Sequence, residues 1–180
     1  TLMAFGFLKK MFFADNIAPL ANQVFENPIG LESFSIMLGT IAFGLQIYCD
    51  FSGYADIAIG AALILGFKIP KNFNKPYFAN SPSDFWHRWH ISLSTWLRDY
   101  VYIPLGGNRK SVNKTYLNLI TVMIIGGIWH GSSWNFVIWG GLHGAYLIIQ
   151  KAISEKFPKI KEIKFFKTKF GKIISIIAVQ

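Results

Sequence analysis

Between Thr115 and Gln150 the chain runs for 36 residues without an Asp, Glu, Lys or Arg. One α-helix of that length would extend ~54 Å, against a bilayer hydrocarbon core of ~30 Å. The middle of the stretch is Trp129-His130-Gly131-Ser132-Ser133-Trp134-Asn135, which has the chemistry of a break. Two shorter helices around a polar turn therefore fit better than one long span. Both flanks are basic, with Arg109, Lys110 and Lys114 before and Lys151 and Lys156 after. That pattern suits a hairpin returning to one side of a membrane. Broken backbone at membrane depth is tolerated only where protein or water surrounds it, so His130 sits where a cavity is expected.

Composition agrees with a membrane setting. Hydrophobic residues make up 52% of the 180, charged residues 15%, and the mean hydropathy is +0.36. A soluble domain usually carries ~25% charged residues. A disordered chain, a disulfide scaffold (Cys49 is the single cysteine) and an ordinary soluble enzyme are excluded. The expected class is all-α: a polytopic membrane helical bundle with broken or re-entrant helices. The chain starts at Thr1 and stops inside a new apolar run, Ile173 to Val179, so it is expected to be a fragment of a larger integral membrane protein.

The net charge of +9 is unevenly placed. Residues 151–172 hold eight Lys against Glu155 and Glu162, or +6. Such a block binds nucleic acid or anionic lipid in some settings. Directly after membrane segments, a cytoplasmic loop is the better reading, with no nucleic-acid partner.

Three blocks precede the uncharged stretch. Residues 1–28 are apolar and aromatic, with Lys9 and Lys10, and are expected to form a helix end plus an interfacial segment. Residues 31–67 are too long for one straight crossing. Asp50-Phe51-Ser52-Gly53 offers turn chemistry, so a break is expected near Cys49–Gly53. Asp50 and Asp56 in that block are expected to pair with Arg88 or Arg98, or to line a pore. Residues 85–101 have helical periodicity. Trp86, Trp89, Leu93, Trp96, Leu97 and Tyr100 form one stripe, and His87, His90, Ser94 and Arg98 form a second, on the opposite side. This predicts an amphipathic helix, interfacial or lining a polar cavity, ended by Pro104-Leu105-Gly106-Gly107-Asn108.

The four histidines, His87, His90, His130 and His143, are the candidates for chemistry. A metal site on His87 and His90 with His130 or His143 gains no support from the lone Cys49 or the bulky Trp neighbours. For His87 and His143 the expected role is structural hydrogen bonding. His130, in a Gly/Ser turn inside an uncharged segment, is a candidate general base on a hydroxyl, because imidazole titrates near neutrality. No Gly-x-Ser-x-Gly nucleophile elbow is present. Gly126-Gly127 and Gly140-Gly141 are expected to permit close helix packing rather than to hold phosphate.

Three stretches together carry a resemblance: YCDFSGYADIAIG (48–60), FWHRWHISLSTWLRDYVYIPLGGNR (85–109) and GGIWHGSSWNFVIWGGLHG (126–144). They closely resemble the membrane-bound O-acyltransferases, in the bacterial branch of alginate O-acetyltransferases and related polysaccharide acetylases. The resemblance covers nearly the whole chain, including the start at residues 9–19. It implies a multi-pass, all-helical protein of the bacterial inner membrane, with residues 1–180 as the central catalytic portion of one membrane domain. It implies His130 and His90 as catalytic residues, since they match the family's Trp-His-Gly and Arg-Trp-His-Ile-Ser-Leu motifs. Arg88, Ser94, Arg98 and Asn135 are implied as candidates for substrate or tunnel contacts.

The implied function is transfer of an acyl group, acetyl in this branch, to hydroxyls of an exported polysaccharide. The acyl donor, acetyl-CoA or an acyl carrier, is a co-substrate. No bound cofactor or metal is implied. The other implied partners are the polysaccharide acceptor, membrane lipid and accessory secreted acetylases. The runner-up is D-alanyl transfer to teichoic acid. A transporter or channel is the alternative of another class, since broken helices and intramembrane histidines serve there too. The spaced pair of Trp-His motifs argues against it, because transport does not require them.

Overall fold

A computed structural model describes residues 1–157. The described residues are helical, with no strand among them. They divide into two compact units, Thr1–Asn72 and the part from Phe73 onward. Most of the basic block at 151–172 and the apolar run at 173–179 lie outside the described residues.

In the first unit, α1 (Leu2–Phe7), a π-helical segment (Leu8–Ala14) and α2 (Asp15–Glu26) follow one another without a gap and pack along α3 (Ser33–Ile64). The expected break near Cys49–Gly53 does not occur: α3 runs unbroken for 32 residues. Packing is the reason. A Cβ on Gly53 would lie 2.7 Å from the Gly6 carbonyl oxygen, and one on Gly6 would lie 2.7 Å from that of Gly53. Gly53 thus lets two helix backbones touch rather than turning one of them. Helix α3 ends instead at Gly66, whose φ of +85° suits glycine. The Phe67 N–H bonds the Ala62 carbonyl and the Gly66 N–H bonds that of Leu63, as in a Schellman cap.

The carboxylates of α3 also find partners other than those expected. Lys9 pairs with Asp56 at 2.6 Å and donates to Ser52 Oγ at 3.0 Å, while Lys10 pairs with Asp50. The π-helical segment places both lysines along α3. The pairings with Arg88 or Arg98 are therefore corrected: those arginines hold Asp84 and Asp99.

The second unit contains a 3₁₀ turn (Pro76–Phe78), α4 (Pro82–Trp86), α5 (Ile91–Leu97) leading into a π-helical turn (Arg98–Tyr102), α6 (Val112–His130) and α7 (Trp134–Lys156). The uncharged stretch forms the expected hairpin, breaking at Gly131-Ser132-Ser133. Ser111 and Ser133 cap α6 and α7 by accepting from the backbone N–H groups of Lys114 and Asn135. The hairpin packs backbone against backbone. A Cβ on Gly127 would meet the Phe136 carbonyl oxygen at 2.2 Å, and one on Gly140 would meet that of Met123 at 2.4 Å. The expected packing role thus holds for these two glycines. Gly141 faces open space, and Gly126 would meet only a Leu97 methyl.

The single amphipathic helix expected over 85–101 is two short helices. His90 adopts the left-handed conformation (φ +43°, ψ +56°) as the N-cap of α5, and residues 87–90 form a turn. Such a backbone is uncommon for a residue other than glycine and is held here by its surroundings. The Arg88 carbonyl accepts from Asn74 N–H at 2.9 Å, and the Ser94 hydroxyl donates to the Trp89 carbonyl at 3.1 Å. Side-chain bonds complete the unit. Ser83 N–H donates to Gln150 Oε1 at 2.9 Å, joining α4 to α7. Asn118, 1% exposed, donates to the Gly107 carbonyl at 2.9 Å and pins the 104–108 loop to α6.

Among the described residues two helices, Ser33–Ile64 and Trp134–Lys156, are long and apolar enough to cross a bilayer.

Candidate active site

Helix α6 ends at His130, and the chain then turns through Gly131, where a Cβ would strike the Phe136 ring at 2.6 Å. The turn thus leaves the His130 ring between α6 and α7. Its centroid lies 5.3 Å from Trp139 in an edge-on arrangement and 6.1 Å from Phe136, nearly parallel. Both aromatic partners come from the first two turns of α7.

His130 lines a cavity of about 480 Å³ between the α4–α5 region and the hairpin. Ser94, Arg98 and His87 line it with His130, so three of the four polar side chains predicted as one stripe do share a wall. Trp86, Leu93 and Leu97, expected on the opposite side of one helix, line the same cavity, because the turn at residues 87–90 divides that helix into α4 and α5. Most of the remaining wall is apolar: Trp86, Ile91, Leu93 and Leu97 on one side, and Leu119, Val122, Met123 and Trp139 on the other. A smaller cavity of about 250 Å³ shares Arg98, Tyr102 and Asn108 with it and includes Arg109.

His90 does not line the cavity. Its ring, 9% exposed, stands edge-on to Trp129 at 5.8 Å, and Trp129 stands edge-on to His130 at 5.1 Å. Burial, and then the neighbouring His130, hold the His90 imidazole below its ordinary pKa, so it is neutral at physiological pH. His143 packs ring against ring with Trp86, Trp139 and Tyr146.

Arg88 and Asn135 stand apart from the cavity wall. Arg88 bonds Asp84 at 2.7 Å. Burial opposes the Asp84 charge, but the Arg88 bond and the Asn80 N–H outweigh it and hold that carboxyl below its usual range. Asn135 is exposed at the start of α7. Sequence reasoning missed Trp139 and Gly126 as cavity residues. The only available signal for either was its spacing from His130 across the turn or along α6.

The family model for membrane-bound O-acyltransferases matches residues 13–177. The chain belongs to the membrane-bound O-acyltransferase family. Family membership, together with the two helices apolar enough to cross a bilayer among the described residues, makes this O-acyltransferase family member a membrane protein. It is 52% identical to a probable alginate O-acetylase AlgI of Azotobacter vinelandii over 150 residues, 82% of this chain and 30% of that protein. It is 46% identical to a peptidoglycan O-acetyltransferase of Helicobacter pylori over 158 residues, 88% of this chain and 30% of that one. It is 37% identical to a teichoic acid D-alanyltransferase of Streptococcus thermophilus over 169 residues, 87% of this chain and 40% of the relative. The chain thus spans less than half the length of these curated relatives.

Proposed function

We propose that the full-length protein is a multi-pass O-acyltransferase of the bacterial inner membrane that acetylates hydroxyls of an exported polysaccharide. Residues 1–180 are its central catalytic portion. The observation that carries this reading is the imidazole of His130 on the wall of a largely apolar cavity. Such a wall suits an acyl group, and the imidazole suits a hydroxyl.

The chemistry follows from these parts. As the acceptor hydroxyl oxygen forms its bond to the acyl carbon, His130 takes the hydroxyl proton. The carbon–sulfur bond of a thioester donor, acetyl-CoA or an acyl carrier, then breaks, and the proton passes to the departing thiolate. Arg98 and Ser94, on the same wall, orient the reactants and face the developing oxyanion. His90 acts through Trp129 as a positioning residue, holding the indole that flanks His130. Arg88 and Asn135 carry no role in this scheme, since they lie off the cavity. Accessory secreted acetylases are the expected partners for delivery to the polymer.

Acetylation is favoured over D-alanyl transfer because identity is higher to the named acetylases than to the teichoic acid enzyme. The test is a deletion strain complemented with the full-length gene, scored for O-acetyl content of cell-surface polymers and for D-alanyl esters on teichoic acid. Restored O-acetyl groups are expected. Restoration of D-alanyl esters alone would overturn the reading.

A further inference from the structure

Glycine inside a helix is disfavoured relative to alanine, so each helical glycine needs a reason. In the hairpin, Gly127, Gly140 and Gly144 have one: a Cβ on each would meet backbone of the facing helix at 2.2, 2.4 and 3.0 Å. Gly126 does not share it. A Cβ there would meet only Leu97 Cδ1, at 3.3 Å, the end of a flexible side chain. Yet Gly126 lies on the cavity wall, as does Leu97. It also precedes His130 by four residues on α6, one helical turn, so the two share a face. Any side chain at 126 would project beside Leu97 into the space below the imidazole.

We propose that Gly126 is the floor of the acyl-group subsite, and that with Leu97 it sets the longest acyl group that reaches His130. This rests on the acyltransferase reading of the same cavity. The missing side chain keeps the space one turn from the base open, so a group longer than acetyl fits. Alanine at 126 shortens the subsite by little more than a displaced Leu97 methyl. Valine closes it to anything beyond acetyl. Truncating Leu97 deepens it.

One methylene in a hydrophobic pocket discriminates by about 10–200-fold, so the effect is measurable as a ratio. Membranes of the deletion strain complemented with the full-length protein, which retain its accessory acetylases, are given equimolar acetyl and propionyl donors, first as CoA thioesters and then as acyl-carrier thioesters, with deacetylated alginate and purified peptidoglycan as separate acceptors. The readout is the propionyl-to-acetyl ratio on the polymer. Because both donors compete for the same enzyme molecules, the ratio does not depend on the folded fraction. Wild type is expected to transfer both groups. Gly126→Val should lower the ratio about tenfold or more, Gly126→Ala less, and Leu97→Ala should raise it. Transfer by wild type with a ratio unchanged in all three variants would overturn the assignment of Gly126 alone. Absence of transfer by wild type to either acceptor would overturn the acyltransferase reading, and this inference with it.

Discussion

The rings of His130 and Trp139 stand edge-to-face across the hairpin, centroids 5.3 Å apart and planes at 82°. The contact joins the last residue of α6 to the second turn of α7, so it fixes the imidazole against both helices at once. Edge-to-face aromatic contacts contribute ~0.5–1.5 kcal/mol beyond the area they bury. Here the gain is orientation: a base that swings freely loses the alignment that proton transfer needs.

Replacing Trp139 by Ala should therefore lower polymer acetylation by about tenfold or more, whereas Trp139→Phe should keep most of it. Acetyl content at matched protein level checks this. Equal activity in the two variants would remove the orienting role.

The hairpin should tolerate no side chain at Gly140. Its Cβ would sit 2.4 Å from the Met123 carbonyl oxygen, which is backbone and has no rotamer to yield. Overpacking of this kind costs ~1–3 kcal/mol. Gly140→Ala should lower the unfolding temperature of the purified full-length protein, while Gly141→Ala, which faces open space, should leave it near wild type.

Much of the hairpin was legible in the sequence because absence of charge and a Gly-Ser-Ser turn are local signals. The same reasoning failed at Gly53, where glycine serves contact with Gly6, 47 positions away, rather than a turn. It failed again at His90, because periodicity across 85–101 persists through a left-handed turn that redirects the helix without erasing the pattern. Of the stripe His87, His90, Ser94 and Arg98, expected to line a polar cavity, His90 is absent from the wall, and Trp86, Leu93 and Leu97 from the opposite stripe line it instead, so the cavity is largely apolar. Lys9 and Lys10 gave no sign of their partners, since pairing over about 40 residues follows from packing alone.

In the first unit, Lys9 and Asp56 have side chains only 14% and 24% exposed. Removing one partner strands the other charge, at a cost of ~1.5–3 kcal/mol or more. Asp56→Ala should destabilise the full-length protein clearly, and Lys9→Met with Asp56→Ala should recover most of the loss. Denaturation of both variants in detergent checks this. An equal or greater loss in the double variant would count against the pair.

Acid should destabilise the protein partly through His90. Its folded pKa lies below the unfolded value of about 6.5, so the unfolded state binds more protons as pH falls through that region. The stability contributed by its neutral, buried ring is full above about pH 6.5 and declines below it. His90→Gln should flatten the fall in unfolding temperature between about pH 6.5 and 5. A wild-type slope in that variant would place the acid sensitivity elsewhere.

The role of His130 is tested most directly by His130→Gln in the full-length protein. Gln retains a hydrogen bond but cannot accept a proton near neutral pH. A general base typically contributes ~10²–10⁴-fold in rate. Polymer acetylation in a deletion strain complemented at matched membrane level should fall at least about a hundredfold. Activity within about threefold of wild type would show that His130 is not the base.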